Sequence, residues 1–385
     1  MTGLSDALLP AGLMDRLPPD AGHEAAVTAG LVADFVARGY EQVKPPLLEF
    51  EDGLLRDAVA SVNRQTFRLM DPGSQRMLAI RPDITGQVSR IAESRLRHRA
   101  RPLRLCYAGD VLQVSGSAIR PERQFVQAGV ELIGIDCAAA DIEVVVLAVQ
   151  ALTNAGVATL GVDLSTPTVA TAVLDRAGLE PEALAETRAA LDHKDPAAVR
   201  TAAGPAADLL IALLEAGGPA EEALRALRAL ALPTEAAAEV ARLGDVVAGV
   251  QARIAGVRLT VDAVENRGFE YHCGVSFTLF APRVRGELGR GGRYLSGHMR
   301  EPATGFSLYL DSVMRAVAPP PPPRRLWLPP DTPEAEAAAW REKGWATVAA
   351  LAPVADPVAD AAAQGCSHLL AGGVPQPVPS SRSGD

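Results

Sequence analysis

The residues best suited to chemistry in this chain of 385 residues fall in four short stretches. The first, 81–87 (RPDITGQ), carries Asp83 and Thr85, which could hold an ammonium group. The second holds Gln127 and Glu131, four residues apart. The third, 265–277 (ENRGFEYHCGVSF), carries Arg267, Tyr271 and His272. The fourth is Gly291-Gly292-Arg293-Tyr294. As a set they suit a free amino acid: carboxylates for the amine, the Arg267 guanidinium for the carboxylate, and Glu131 with a tyrosine for a polar side chain. Taken singly, each has a plainer reading. Asp83, following Arg81-Pro82, is also a good helix N-cap. Tyr271 alternates along a strand and could be core, and Glu131 could pair with an arginine for structure alone.

These side chains need a frame. Residues 103–134 alternate apolar and polar types on both sides of a polar loop, which predicts a long antiparallel hairpin. Its second arm puts Gln127, Gly129 and Glu131 on one face, with Phe125, Val130 and Leu132 nearby. Buried polar groups on a strand need partners, and a small ligand carrying donors would supply them. Ahead of the hairpin, a helix over 23–38 places Val27, Leu31, Val32 and Phe35 on one face and stops at Gly39. Residues 40–50 read as an edge strand, since Pro45-Pro46 cannot donate to a central ladder. Strands at 66–70 and 77–80 flank a turn at Asp71-Pro72-Gly73. A helix over 83–99 then ends in an arginine-dense run (Arg95, Arg97, Arg99, Arg101, Arg104).

Beyond the hairpin the pattern gives a helix over 138–155 stopped by Gly156, and a strand over 160–164. From about 179 to 255 the chain is Ala/Leu-rich with almost no aromatics, and reads as a helical insertion. Strands return at 257–261, 271–280 and 286–294, followed by a helix over 305–317. A proline run at 319–323 is a stiff linker. After it, 325–328, 335–343, 345–351, 358–364 and 368–371 suggest a small β-α-β-α-β unit. The expected division is a core over 1–318, a linker at 319–324, the small unit at 325–375 and a tail at 376–385.

Composition narrows the classes. Hydrophobic residues make up 48% and charged residues 22%, as in an ordinary soluble globular protein. No run reaches the roughly eighteen apolar residues of a membrane helix. The start (MTGLSDALLPAG) shows no basic segment leading into an apolar one, so the expected location is cytoplasmic. Cys106, Cys137, Cys273 and Cys366 form no CxxC pair, which argues against zinc and against a disulfide framework. A net charge of -9 is the wrong sign for a dedicated nucleic-acid binder.

The hairpin, through Tyr107-Ala108-Gly109 and Gln124-Phe125-Val126-Gln127, resembles the second signature motif of class II aminoacyl-tRNA synthetases in its histidyl form. The segment from Phe35 to Glu49 resembles the first, dimer-forming motif. RPDIT resembles the histidyl enzymes' LRPE-x-T, and RGFEYHC their RG-L-D-Y-Y signature with His272 for the second tyrosine. Residues 305–313 resemble the third motif. The resemblance spans roughly 8–318. It implies an α+β fold: a six-stranded, mainly antiparallel sheet flanked by helices, a helical insertion, and a small C-terminal α/β unit.

The departures bear on function. Gln113 and Ser115 stand where the second motif has an arginine and an acid. Ser312 stands where the third motif has the arginine that grips the ATP triphosphate, and Tyr309 replaces a small glycine. Two guanidiniums that would neutralise a triphosphate are therefore missing. The small C-terminal unit is also too short for a full anticodon-binding domain. One family keeps this scaffold without its chemistry, the regulatory subunits of ATP phosphoribosyltransferase, and the chain is similar to them. That resemblance implies no catalytic residue, no cofactor, a short-form catalytic partner subunit, and a homodimer formed through residues 35–49. It also implies L-histidine as effector, in a vestigial pocket of Asp83, Thr85, Gln127, Glu131, Arg267, Tyr271, His272 and Tyr294. Two other readings stay open, an amino-acid-adenylating ligase with another triphosphate grip and a tRNA sensor using the run at 95–104.

Overall fold

The computed structural model describes residues 8–56, 60–265 and 272–379. The chain divides into two compact units that meet between Ala318 and Pro319. The first opens with α1 (Asp20–Ala37), which buries Leu31 and Phe35 and stops at Gly39, whose left-handed φ of 84° suits glycine. Next come β1 (Glu41–Gln42), β2 (Leu48–Phe50), the short helices α2 (Glu51–Leu54) and α3 (Ala60–Arg64), then β3 (Arg68–Met70) and β4 (Met77–Ile80). After these come α4 (Thr85–Ser94), β5 (Leu103–Leu112), β6 (Gln124–Ile133), α5 (Ala138–Asn154) and β7 (Gly161–Ser165).

The chain then leaves the sheet to build α6 (Pro167–Ala177), α7 (Pro181–Asp192), α8 (Pro196–Ala202), α9 (Ala207–Glu215), β8 (Gly218–Pro219), α10 (Ala220–Ala229) and α11 (Thr234–Gln251). It returns with β9 (Arg258–Asp262), β10 (His272–Phe280), β11 (Gly289–Ser296), β12 (Glu301–Tyr309) and α12 (Leu310–Ala316).

The main sheet runs β1-β5-β6-β12-β11-β10-β7-β9-β8, and β2, β4 and β3 form a separate three-stranded sheet. Pairing in the main sheet is antiparallel except for β1 with β5 and β7 with β9. Each strand's period-2 alternation sorts its side chains onto two layers. On one face Val130 and Leu132 of β6 and Phe306 and Leu308 of β12 pack with α1 and the apolar α5; Phe35 meets Phe306 edge-on with ring centroids 5.6 Å apart. The opposite face carries Leu103, Leu105, Tyr107, Phe125, Ile133 and Tyr294 under Ile84 and Val88 of the α4 region. The candidate site lies on this second face.

The fold class is the α+β arrangement expected, but several boundaries differ. The sheet has nine strands, not six: beyond β5, β6, β7, β9, β10 and β11 it holds the two-residue strands β1 and β8, and also β12. The helix expected over 305–317 begins only at Leu310. Residues 305–309 belong to β12 because Gly305, Phe306, Ser307 and Leu308 alternate small with apolar and are clamped between β6 and β11. The segment 40–50 breaks into β1 and β2 at Pro45-Pro46, whose carbonyls accept from Arg81 (3.0 Å) and Gln87 (2.8 Å). The helix over 83–99 shortens to α4, since the Leu96 amide closes on the Ile91 carbonyl at 3.0 Å. Three of the five arginines in the run form ion pairs: Arg99 with Glu41, Arg101 with Glu301 (2.6 Å) and Arg104 with Glu143 (2.8 Å).

The second unit begins at Pro319 and contains β13 (Arg325–Leu328), α13 (Glu334–Glu342), β14 (Ala346–Ala349), α14 (Pro357–Ala363), β15 (His368–Ala371) and β16 (Val374–Pro377). Its sheet order is β14-β13-β15-β16, parallel except for the β15–β16 hairpin. Leu326, Leu328 and Leu370 pack with Ala337 of α13, and Trp327 and Leu369 with Ala361 of α14. β16 crosses the expected boundary at 375, because 374–377 completes a ladder with β15.

Candidate functional site

Asp83, Thr85, Gln127 and Tyr294 line one cavity of about 450 Å³ on the α4 face of the sheet, together with Gln113, Arg120, Phe125, Arg290 and Tyr309. Glu131 and His272 line a recess of about 30 Å³, one water in size, whose walls also include Asp83, Thr85, Arg290, Tyr294 and Tyr309. Six of the eight site residues named from sequence are thereby brought together. The other two, Arg267 and Tyr271, lie outside the described residues.

The geometry of β6 sets the rest. Gln127, Gly129 and Glu131 alternate onto the cavity face. Both polar side chains are buried and find partners within the chain. The Gln127 amide oxygen accepts from the Ile84 N–H at 2.9 Å. Its amide nitrogen donates to Asp83 Oδ2 (2.7 Å) and to Ser307 Oγ (2.6 Å), so both hydrogens are used. Ser307 in turn contacts the Tyr107 hydroxyl at 2.9 Å. Tyr107 donates to Glu131 Oε1 at 3.4 Å, and Tyr294 donates to Glu131 Oε2 at 2.7 Å. The sequence suits Gln127 to a ligand; its hydrogen-bonding capacity goes instead to fixing Asp83 and the start of α4.

Two glycines make room for this network. A Cβ at Gly129 would collide with the Phe306 carbonyl and fall 2.6 Å from the Tyr107 hydroxyl. One at Gly305 would overlap Glu131 Oε2. Bare backbone at both positions is what lets Tyr107 and Glu131 lie flat against neighbouring strands.

Two carboxylates buried this deeply disfavour their charged forms. Burial raises Asp83 above the ordinary carboxylate value, against hydrogen bonds from Gln127 and Thr85. For Glu131, burial first and the nearby Asp83 charge second raise the carboxyl to about 8, against the tyrosine hydroxyls. Burial also raises Tyr107 and Tyr294 well above the usual phenol value. A cationic ligand group placed at this end would favour the ionised forms that burial disfavours.

Arg293 of the expected glycine-rich stretch does not reach the cavity. It points through the opposite face of the sheet to Asp141 (2.7 Å), Asp136 (3.1 Å) and the Cys137 carbonyl (3.1 Å) at the start of α5, where Arg242 of α11 joins the same two acids. Ser312 is buried and contacts Arg315 at 2.9 Å, and Gln113 lines the cavity.

The profile of the family described as histidyl-tRNA synthetase matches residues 12–313. Two curated relatives are named ATP phosphoribosyltransferase regulatory subunit. The protein from Paramagnetospirillum magneticum is 54% identical over 364 residues, 94% of this chain and 96% of its own length. That from Rhodospirillum centenum is 54% identical over 369 residues, 96% of each. Among solved structures, an ATP phosphoribosyltransferase regulatory subunit/histidyl-tRNA synthetase from Bacillus halodurans superposes with a TM-score of 0.80 at 25% identity, covering 94% of this chain and 97% of that one. With more than half its residues shared over nearly the full length of such relatives, the chain belongs to the ATP phosphoribosyltransferase regulatory subunit family, on a histidyl-tRNA synthetase scaffold.

Proposed function

We propose that this chain activates a short-form ATP phosphoribosyltransferase catalytic subunit and senses L-histidine in its cavity, contributing feedback to the first step of histidine biosynthesis. The family role is regulatory, and the transfer reaction belongs to the catalytic partner. The observation that supports this reading is one cavity lined by Asp83, Thr85, Gln127 and Tyr294, with Gln113 where the scaffold's second motif has an arginine. Asp83 and Thr85 stand for the ammonium and Glu131 with His272 and Tyr294 for the side chain, whereas Gln113 and Ser312 offer no guanidinium. Arg267 and Tyr271 complete the set in this reading, Arg267 receiving the ligand carboxylate.

A homodimer through residues 35–49 completes the proposal. Phe35 and Tyr40 are buried within the protomer, so they cannot touch a partner. The support comes from the far end, where Leu47, Leu48 and Phe50 are exposed beside Leu69, Met70 and Met77 of the three-stranded sheet. Among the described residues no helix is long and apolar enough to cross a membrane; the proposed setting is the cytoplasm.

The test is phosphoribosyl-ATP formation by the catalytic subunit with and without this chain, at several histidine concentrations. A ligand shifts its partner only as far as it distinguishes two states, typically by about 1–3 kcal/mol, or roughly 5–150-fold. No association, or association without change in turnover or histidine sensitivity, overturns the assignment. Histidine-dependent exchange of pyrophosphate into ATP by the chain alone would restore the ligase reading.

A further inference from the structure

The cavity is within the range of about 300–1,000 Å³ usual for drug-sized ligands, more than a free amino acid needs. Its second half is floored by Phe125 and Tyr309, packed edge-on with centroids 5.9 Å apart. Over both rings lies one planar cation: the Arg120 guanidinium is 4.7 Å from the Phe125 centroid and 4.0 Å from that of Tyr309. A ring face that holds a guanidinium can equally hold a flat heteroaromatic ring, and the Tyr309 face, 4.0 Å from the Arg120 guanidinium carbon, is the nearer of the two.

Arg120 is not resting there by chance of rotamer. It sits in a ladder of alternating charge. Arg290 pairs with Glu287 at 2.7 Å, and Arg120 reaches Glu287 at 3.8 Å and Asp311 at 3.7 Å. Arg315 continues it to Asp311 (3.7 Å) and Glu122 (3.0 Å). The loop that carries Arg120 is itself tied down. Ser117 and Arg120 exchange hydrogen bonds (2.7 and 2.9 Å), and Arg123 binds the Gly12 and Ala11 carbonyls (2.8 and 3.0 Å). Asp311 is 2% exposed and the Arg120 side chain 17%. At 3.7–3.8 Å the contacts of Arg120 itself are charge pairs without directional hydrogen bonds, so ring stacking fixes where it lies.

We propose that Arg120 is a built-in occupant of the stacking half of the cavity, so that the native chain admits an amino acid but excludes a nucleoside. The inference goes beyond the missing triphosphate grips: even the base-sized slot is filled, by a side chain of the loop joining β5 and β6. It rests on reading the cavity as a small-molecule site, not on histidine being its ligand.

Removing Arg120 uncovers the rings and takes a cation away, while Glu287 keeps Arg290 and Asp311 keeps Arg315, so the vacated site gains room for a base but no partner for a phosphate. The probe is therefore adenosine, with adenosine monophosphate as a comparison, titrated calorimetrically into the full chain. Arg120→Ala should bind adenosine at least ten-fold more tightly than wild type, and the monophosphate no more tightly than adenosine. Arg120→Lys, which keeps the charge but not the planar stack, should show a smaller gain and serves if the alanine variant fails to fold. Adenosine binding by wild type as tight as by the variants overturns the proposal, as does a folded variant no better than wild type. A separate titration of wild type with L-histidine reports the amino-acid reading on its own, so either can fail without the other.

Discussion

Replacing Glu131 by glutamine should change how the fold's stability depends on pH, and the size follows from its surroundings. Glu131 is 1% exposed, accepts hydrogen bonds from Tyr294 and Tyr107, and has Asp83 and Thr85 as neighbours; His272 and Arg290 share its recess. Its carboxyl titrates near 8 in the fold against an ordinary value of 4.5. Between those values the native state holds a proton that the unfolded chain has released. Stability from this group is therefore fully present below about pH 4.5 and is lost as pH rises through about 8. The full loss is the shift of about 3.5 units times about 1.4 kcal/mol per unit, or about 5 kcal/mol. A side-chain amide never ionises, so Glu131→Gln should lack this slope while keeping the acceptor for Tyr294. Urea denaturation of wild type and variant at about pH 5 and about pH 8.5 reads the difference directly. The gap between the two should move in the variant's favour by several kcal/mol at the higher pH. Parallel pH profiles would show that Glu131 is ionised in the fold and that the argument from burial is wrong.

Three further outcomes follow from the same geometry. Arg293→Met takes from the buried Asp141 one of its two guanidiniums and should cost about 3–5 kcal/mol in denaturant unfolding, as breaking a buried pair does; a cost below about 1 kcal/mol would mean that Arg242 alone satisfies both acids. Gly129→Ala should lose about 1–3 kcal/mol from its backbone clash with Phe306, whereas Gly30→Ala, with nothing near its Cβ and inside α1, should gain about 0.5–1 kcal/mol in a paired thermal melt. If L-histidine occupies the cavity, Arg267→Ala leaves the ligand carboxylate unpaired and should weaken calorimetric binding by roughly 2–5 kcal/mol; unchanged affinity places the effector elsewhere.

Much of the fold is legible in the sequence because the informative signals are local. The limits of the β5–β6 hairpin can be read to within a few residues, since period-2 alternation is a property of each arm alone. The glycine-rich strands are harder. Gly305 and Ser307 carry little hydrophobic signal because they must be thin where Glu131 and Tyr107 cross them, so the end of β12 reads as helix. The direction of Arg293, by contrast, is open to sequence reasoning. Adjacent residues on a strand face opposite ways, so Arg293 and Tyr294 could never both point into the cavity. The internal partners of Gln127 are not legible, because Ser307 is 180 residues distant and the pairing exists only through the β6–β12 register. Arg120 is hidden for a related reason: an arginine in a polar loop looks solvated until Glu287, Asp311 and two rings converge on it.

Charge balance separates the two halves of the cavity, and on the proposed reading it favours an amino acid over a triphosphate. Asp83 and Glu131 take hydrogen bonds from amide and hydroxyl groups, and burial favours the protonated form of each. A ligand bringing an ammonium or a protonated imidazole would favour the ionised form of one of these carboxyls. In the other half the charges are already matched: Arg290, Arg120 and Arg315 alternate with Glu287, Asp311 and Glu122. A triphosphate entering there would meet guanidiniums already paired with carboxylates. Differential affinity for one of two states is the quantity that a regulatory ligand must supply. On the proposed reading the half holding Asp83 and Glu131 supplies it, while the half whose charges are already matched offers a triphosphate no unpaired cation.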